Sequence, residues 1–189
     1  VADSERLAEQ TQAAPQGTLR VTAPETFGAT CLAPALSRFV ACYPQVKVDV
    51  TLSNRRMDLI DSAFDVALRL GNLEPSSLIA RPLRDYTLSL CAAPVYLARR
   101  GTPRTPADLQ AHDCLAFSYP AGDDWASVEK QWRLHGPDGD ILVPVDGPMV
   151  MNSTAGLYHA ALAGMGVVML PDAQVGHDLH SGRLVRLLP

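Results

Sequence analysis

From Gly17 onward the hydrophobic period switches repeatedly between that of a strand and that of a helix, and this alternation leaves few folds open. "TLRVTA" (18–23) alternates as a strand, then Phe27, Leu32, Ala35, Leu36, Phe39 and Val40 recur at helical spacing. Pro34 falls inside that pattern, so a kink or restart of the helix is expected there. "VKVDVTL" (46–52) returns to strand alternation, "RRMDLIDSAF" (55–64) reads as a short helix, and "DVALRLG" (65–71) as an apolar strand. Strand, helix, strand, helix, strand in quick succession marks an α/β chain with a doubly wound, mainly parallel sheet.

The scheme continues after an interruption. "YTLSLCAAPVYL" (86–97) is a strand running into a Pro-initiated turn, "TPADLQAH" (105–112) a short helix, and "CLAFSY" (114–119) a strand. Residues 120–148 are rich in turn signals around "QWRLH" and "ILVPV", which suits a β-hairpin. "STAGLYHAALAG" is a helix with Gly164 as its C-cap, followed by strand "VVMLP", helix "DAQVGHDLHSG" and strand "LVRLL". Leaving one α/β unit, entering another and resuming predicts two lobes with a cleft between them, with crossovers near 88–92 and 143–150. The expected divisions are 17–90 for lobe I with a return at 165–189, 91–146 for the first part of lobe II, and 147–164 for its helix and crossover.

Charge and composition exclude several roles. The net charge of −4 and scattered arginines are unlike a nucleic-acid module, which needs a basic stripe to neutralise phosphates. No apolar run of about 18 residues exists, so no membrane span is expected. Residues 1–16 are polar and read as a helix end and linker rather than a secretory signal. Cys31, Cys42, Cys91 and Cys114 lack CxxC or metal-ligand spacing and read as small buried hydrophobes of a reducing cytoplasm. No GxSxG, HExxH or GK[ST] motif appears, and GxG at 164–166 leads from helix to strand, the wrong order for a dinucleotide. No cofactor, metal or enzymatic chemistry is expected.

In open α/β sheets ligands gather beyond the C-terminal strand ends, at the starts of the following helices. That rule selects Thr26 and Phe27 after the first strand, Arg69 at the end of the third, Phe117 and Ser118 after "CLA", and Asn152, Ser153 and Thr154 after "GPMVM". Hydroxyls and backbone N–H groups at two helix starts would hold a carboxylate or similar anion. The alternative for Thr26 and for 152–154 is ordinary N-capping. Arg69, in an otherwise apolar strand, holds either a ligand anion or a structural acid. Phe117, Ser118 and Trp125 would line an apolar wall, whereas Trp132 reads as hairpin packing. His177 and His180 have a spacing a metal could use, but without a third ligand they read as a solvated face.

The motifs "P-x-T-F-G", "D-V-A-L-R-L-G", "A-x-P-x-Y-L" and "A-L-A-G-x-G-V-x-x-L-P" occur in order over residues 17–189. Together they closely resemble the C-terminal effector-binding domain of LysR-type transcriptional regulators. The resemblance implies two Rossmann-like lobes with a hinge, the type 2 periplasmic-binding-protein fold, and a small-molecule effector between the lobes, for which the helix-start chemistry suggests a carboxylate. It implies residues 1–16 as a linker-helix remnant, DNA contact only through an absent N-terminal winged helix-turn-helix, and a cytoplasmic homodimer or tetramer. Carried over by residue, the inducer-contacting hydroxyl falls on Thr26, its partners on Asn152, Ser153 and Thr154, and the strand-end arginine on Arg69. Dimers would pair residues 30–52 with a second-lobe helix. A periplasmic solute-binding protein of the same fold is the alternative.

Overall fold

β1 (Gly17–Ala23) is the centre of the first sheet, flanked by β2 (Val46–Leu52) and β3 (Val66–Ala67) in the order β2-β1-β3, both pairings parallel. The structure, a computed structural model, describes residues 14–54, 63–71, 77–118, 131–136 and 139–188. Parallel strands need a crossover, which the helical segment between β1 and β2 supplies. It begins as α1 (Glu25–Phe27), passes through a π-helical turn (Gly28–Leu32) and continues as α2 (Ala33–Cys42). The expected break at Pro34 takes this form. Proline has no N–H for the preceding turn, and the wider turn just before it is closed by the Ala33 N–H on the Gly28 carbonyl. β3 is far shorter than the expected 65–71 strand, and the helix expected over 55–64 lies almost wholly outside the described residues.

The described residues fall into two compact units, the first reaching Ser53 and resuming over 63–71, the second holding Asn54 and all described residues from 77 on. In the second, β4 (Leu88–Ala92) is the middle of an antiparallel sheet, β10-β4-β9, with β9 (Val167–Pro171) and β10 (Val185–Arg186). The sheet is antiparallel where a mainly parallel one was expected, and residues 77–90 and 165–188 lie in the second unit, where β4 takes its hydrogen-bond partners from β9 and β10.

A second, parallel pair joins β5 (Ala116–Phe117) to β8 (Val150–Met151). The expected hairpin is present as β6 (Gln131–Gly136) and β7 (Gly139–Pro144), with Trp132 packed inside at 1% exposure. Pro94 opens α3 (Pro94–Arg100), and a 3₁₀ helix (Pro106–Ala111) follows it. α4 (Thr154–Leu162) ends before Gly164, whose φ of 78° suits the left-handed turn expected there. α5 (Asp172–Ser181) lies between β9 and β10. Two apolar clusters hold this unit. One gathers Tyr96, Leu109, Trp132, Val143 and Val167, the other Leu115, Leu157, Ala161, Val168, Val175 and Leu184.

Candidate functional site

The sequence-selected residues fall at two places, one in each unit. In the first unit β1 and β3 run parallel, so the chain leaves both at the same sheet end. Pro24 to Phe27 follow β1, and Arg69 follows β3. The N-cap of α1 is Pro24, so Thr26 lies within the first turn and the capping alternative for it does not hold. Its carbonyl accepts the Thr30 hydroxyl at 2.8 Å, a bond that stays within the helix. Arg69 Nη1 donates to its neighbour's carbonyl, Leu68 O, at 2.7 Å, and Nη2 reaches the wholly buried Thr22 Oγ1 at 3.4 Å. No carboxylate pairs with Arg69 among the described residues. Partial burial lowers its pKa, because a low-dielectric setting disfavours the charged form.

In the second unit the parallel pair β5–β8 does the same for the other four polar positions. Ser118 N–H donates to Met151 O at 3.0 Å, and Phe117 is paired with Met151. Phe117 and Ser118 therefore stand beside Asn152 and Ser153 at one strand end. Ser153 is extended (φ −128°, ψ 116°) and caps α4, its hydroxyl accepting the Gly156 N–H at 3.4 Å. Here the capping alternative is realised, by Ser153, while Asn152 is exposed and Thr154 is the first helical residue. No acidic residue occupies the first turn of α4, so no carboxylate of the helix itself answers the positive end of its dipole. Gly156 packs this first turn closely against the Met151 side chain. A Cβ there would strike Met151 Sδ, so its absence lets the first turn lie directly on β8.

Trp125 lies outside the described residues. His177 and His180 are both exposed on α5, and no group of three metal-ligating side chains occurs among the described residues. The cysteines divide. Cys91 and Cys114 are buried, and burial pushes both thiols up to about 12, whereas Cys31 is half-buried and Cys42 exposed, contrary to the reading of all four as buried. Sequence reasoning missed Tyr158, Gln174 and Asp178, which tie α4 to α5. The only signal available was an acid at the i+3 position from a buried valine.

A twice-wound α/β chain with polar residues gathered at helix starts defines a domain of the type 2 periplasmic-binding-protein class. Residues 12–189 match the family model of the LysR substrate binding domain, and the chain belongs to that family. It is 32% identical over 189 residues to the HTH-type transcriptional regulator YhjC of Escherichia coli K12, covering 97% of this chain and 60% of that protein. It is 33% identical to the regulator CrgA of Neisseria meningitidis serogroup C, covering 92% of this chain and 56% of CrgA. The chain thus spans little more than half the length of these relatives. Among solved structures, CrgA of Neisseria meningitidis superposes with a TM-score of 0.79 at 32% identity, over 99% of this chain and 60% of that one. The full-length virulence activator AphB of Vibrio cholerae gives 0.80 at 27% identity, over 99% and 64%. No helix among the described residues is long and apolar enough to cross a membrane.

Proposed function

We propose that the chain is the effector-sensing and dimerisation part of a LysR-type transcription regulator. A small carboxylate metabolite binds between the two lobes, touching Thr26, Phe27 and Arg69 from one and Phe117, Ser118, Asn152, Ser153 and Thr154 from the other. The domain is not an enzyme. The parent protein is cytoplasmic, acts as a homodimer or tetramer through residues 30–52, and reads DNA with an N-terminal winged helix-turn-helix. The relatives are named transcriptional regulators, which disfavours the solute-carrier alternative. One observation carries the ligand reading: the capped α4 start, with no acid in its first turn, at the shared end of β5 and β8. Occupancy acts by population shift, and its reach is limited to the ligand's differential affinity for the two arrangements.

The test is a thermal-shift screen of carboxylates on this chain. A ligand at 100 times its Kd stabilises by about 2.7 kcal/mol, a rise of roughly 5–10 °C for a domain of this size. Thr26→Val is expected to lose most of that rise while its unliganded melting temperature stays within a few degrees. An undiminished ligand response in the variant sinks the anion-seat reading.

A further inference from the structure

α4 and α5 share an apolar contact through Leu157, Ala161 and Val175. Apolar packing alone lets helices slide by fractions of a turn, because it is not directional. Two hydrogen bonds remove that freedom. Gln174 Nε2 donates to the Thr154 carbonyl at 3.2 Å, and the Tyr158 hydroxyl donates to Asp178 Oδ2 at 2.6 Å. The donors and acceptors are four residues apart on each helix, so the ties stand one turn apart on facing stripes.

Both ties are costly to keep unless position matters. Asp178 is 2% exposed, and its other oxygen is held in an ion pair 3.1 Å from Arg183 Nη1. Gln174 Oε1 is buried with no hydrogen-bond partner among the described residues, so its side chain is oriented by the Thr154 bond alone. An apolar residue would avoid that desolvation penalty but would lose the directional tie between the two helices. The far end of the path is equally fixed. The Asp172 carboxylate, at the start of α5, accepts the hydroxyls of Thr87, at 3.1 Å, and Ser89, and pairs with Arg186 at 3.6 Å. Its N–H donates to the Thr87 carbonyl at 3.1 Å. α5 is therefore tied by polar contacts to the first turn of α4 at Gln174 and to the start of β4 at Asp172, and its own backbone joins the two.

We infer that Gln174 and Tyr158 are positioning residues that make α5 report the state of α4's first turn and pass it to β4 through Asp172. The functional meaning rests on the reading of residues 152–154 as a ligand seat. A ligand drawing the first-turn N–H groups toward itself turns the Thr154 peptide, and Gln174 follows its carbonyl.

Native-state amide exchange on the labelled chain tests this without a ligand. Ser153→Ala removes the cap and is expected to speed exchange at Leu157–His159 about fivefold. In the otherwise native chain, exchange at Gly176–Asp178 speeds as well. With Gln174→Leu and Tyr158→Phe added, the α4 effect persists and the α5 effect disappears. Gln174→Leu alone, which keeps the buried Asp178 paired, reduces the α5 effect to about half. An α5 effect that survives the double change, or never appears in the native background, overturns the inference. A succinate titration is the separate arm for the seat itself. If succinate leaves Leu157–His159 unaltered while cap removal still reaches α5, the seat reading fails and the coupling stands.

Discussion

Gly147 and Gly166 close on the same stretch of backbone from two sides. A Cβ on Gly147 would collide with the carbonyl of Cys114 and lie 2.7 Å from its nitrogen, and one on Gly166 would collide with the carbonyl of Asp113. These are backbone atoms held by three hydrogen bonds of 2.8 Å: Cys114 N to Asp146 O, Leu115 N to Val167 O and Val167 N to Asp113 O. They cannot rotate away. Gly147→Ala is therefore expected to cost about 3 kcal/mol, the upper end of overpacking, and to lower the melting midpoint read by Trp132 fluorescence by roughly 6–12 °C. Gly176→Ala is the control of opposite sign. A Cβ there meets nothing, and in the α5 interior it stabilises by about 0.5–1 kcal/mol. An unchanged midpoint for Gly147→Ala refutes the close approach. Little of this was legible beforehand. "DGP" around Gly147 reads as one more turn, and nothing local separates a glycine that turns from one that makes room. Thr26 was read as a possible cap for a related reason: the helix start falls at Pro24, two residues earlier than a cap at Thr26 requires.

Elements whose determinants are local were the legible ones. "TPADLQAH" carries its own start signal, and the structure completes it as a capping box. The Asp108 carboxylate accepts the N–H groups of Arg104 at 2.8 Å and Thr105 at 2.9 Å. Those backbone bonds, with the Thr105 hydroxyl, hold the Asp108 pKa below the ordinary aspartate value of 3.8. The folded pKa lies below the unfolded one. The stabilisation is therefore fully present above the unfolded value and is lost as pH falls through the folded value. Amide exchange at Leu109 and His112 is expected to accelerate as pH is lowered through the acidic range below 3.8, relative to intrinsic rates. Asp108→Asn is expected to abolish that acceleration, and its persistence in the variant would assign the effect to another acid. The antiparallel pairing of β4 was not legible, because it depends on strands 75 or more residues away, Val167–Pro171 and Val185–Arg186. "YTLSLC" has the same apolar alternation whichever way its neighbours run. The candidate site divides along the same line: strand-end rules found residues 117–118 and 152–154, while Gln174 and Tyr158 depend on how two helices meet.

At the scale of the molecule the family was legible in the ordered motifs, whereas the partnership of distant strands was not. Strand partners, not sequence proximity, assign 77–90 and 165–188 to the second unit. The two units are unequally cored. Among the described residues the first buries only Val21, Ala23 and Val46 as hydrophobics, while the second has two clusters containing Tyr96, Leu109, Trp132, Leu157, Leu170 and Leu184. Burial of apolar surface is the main favourable term in folding, so the first unit has the smaller reserve against denaturant. Trp132 is buried in the second unit, so its fluorescence, isolated by Trp125→Phe, reports on that unit. Far-UV circular dichroism reports on both. In urea, circular dichroism is expected to begin its loss at lower denaturant than Trp fluorescence, giving two transitions whose midpoints do not coincide. Coincident transitions in the unliganded chain would show a single cooperative unit, and with it that the smaller core of the first unit is sustained by the second.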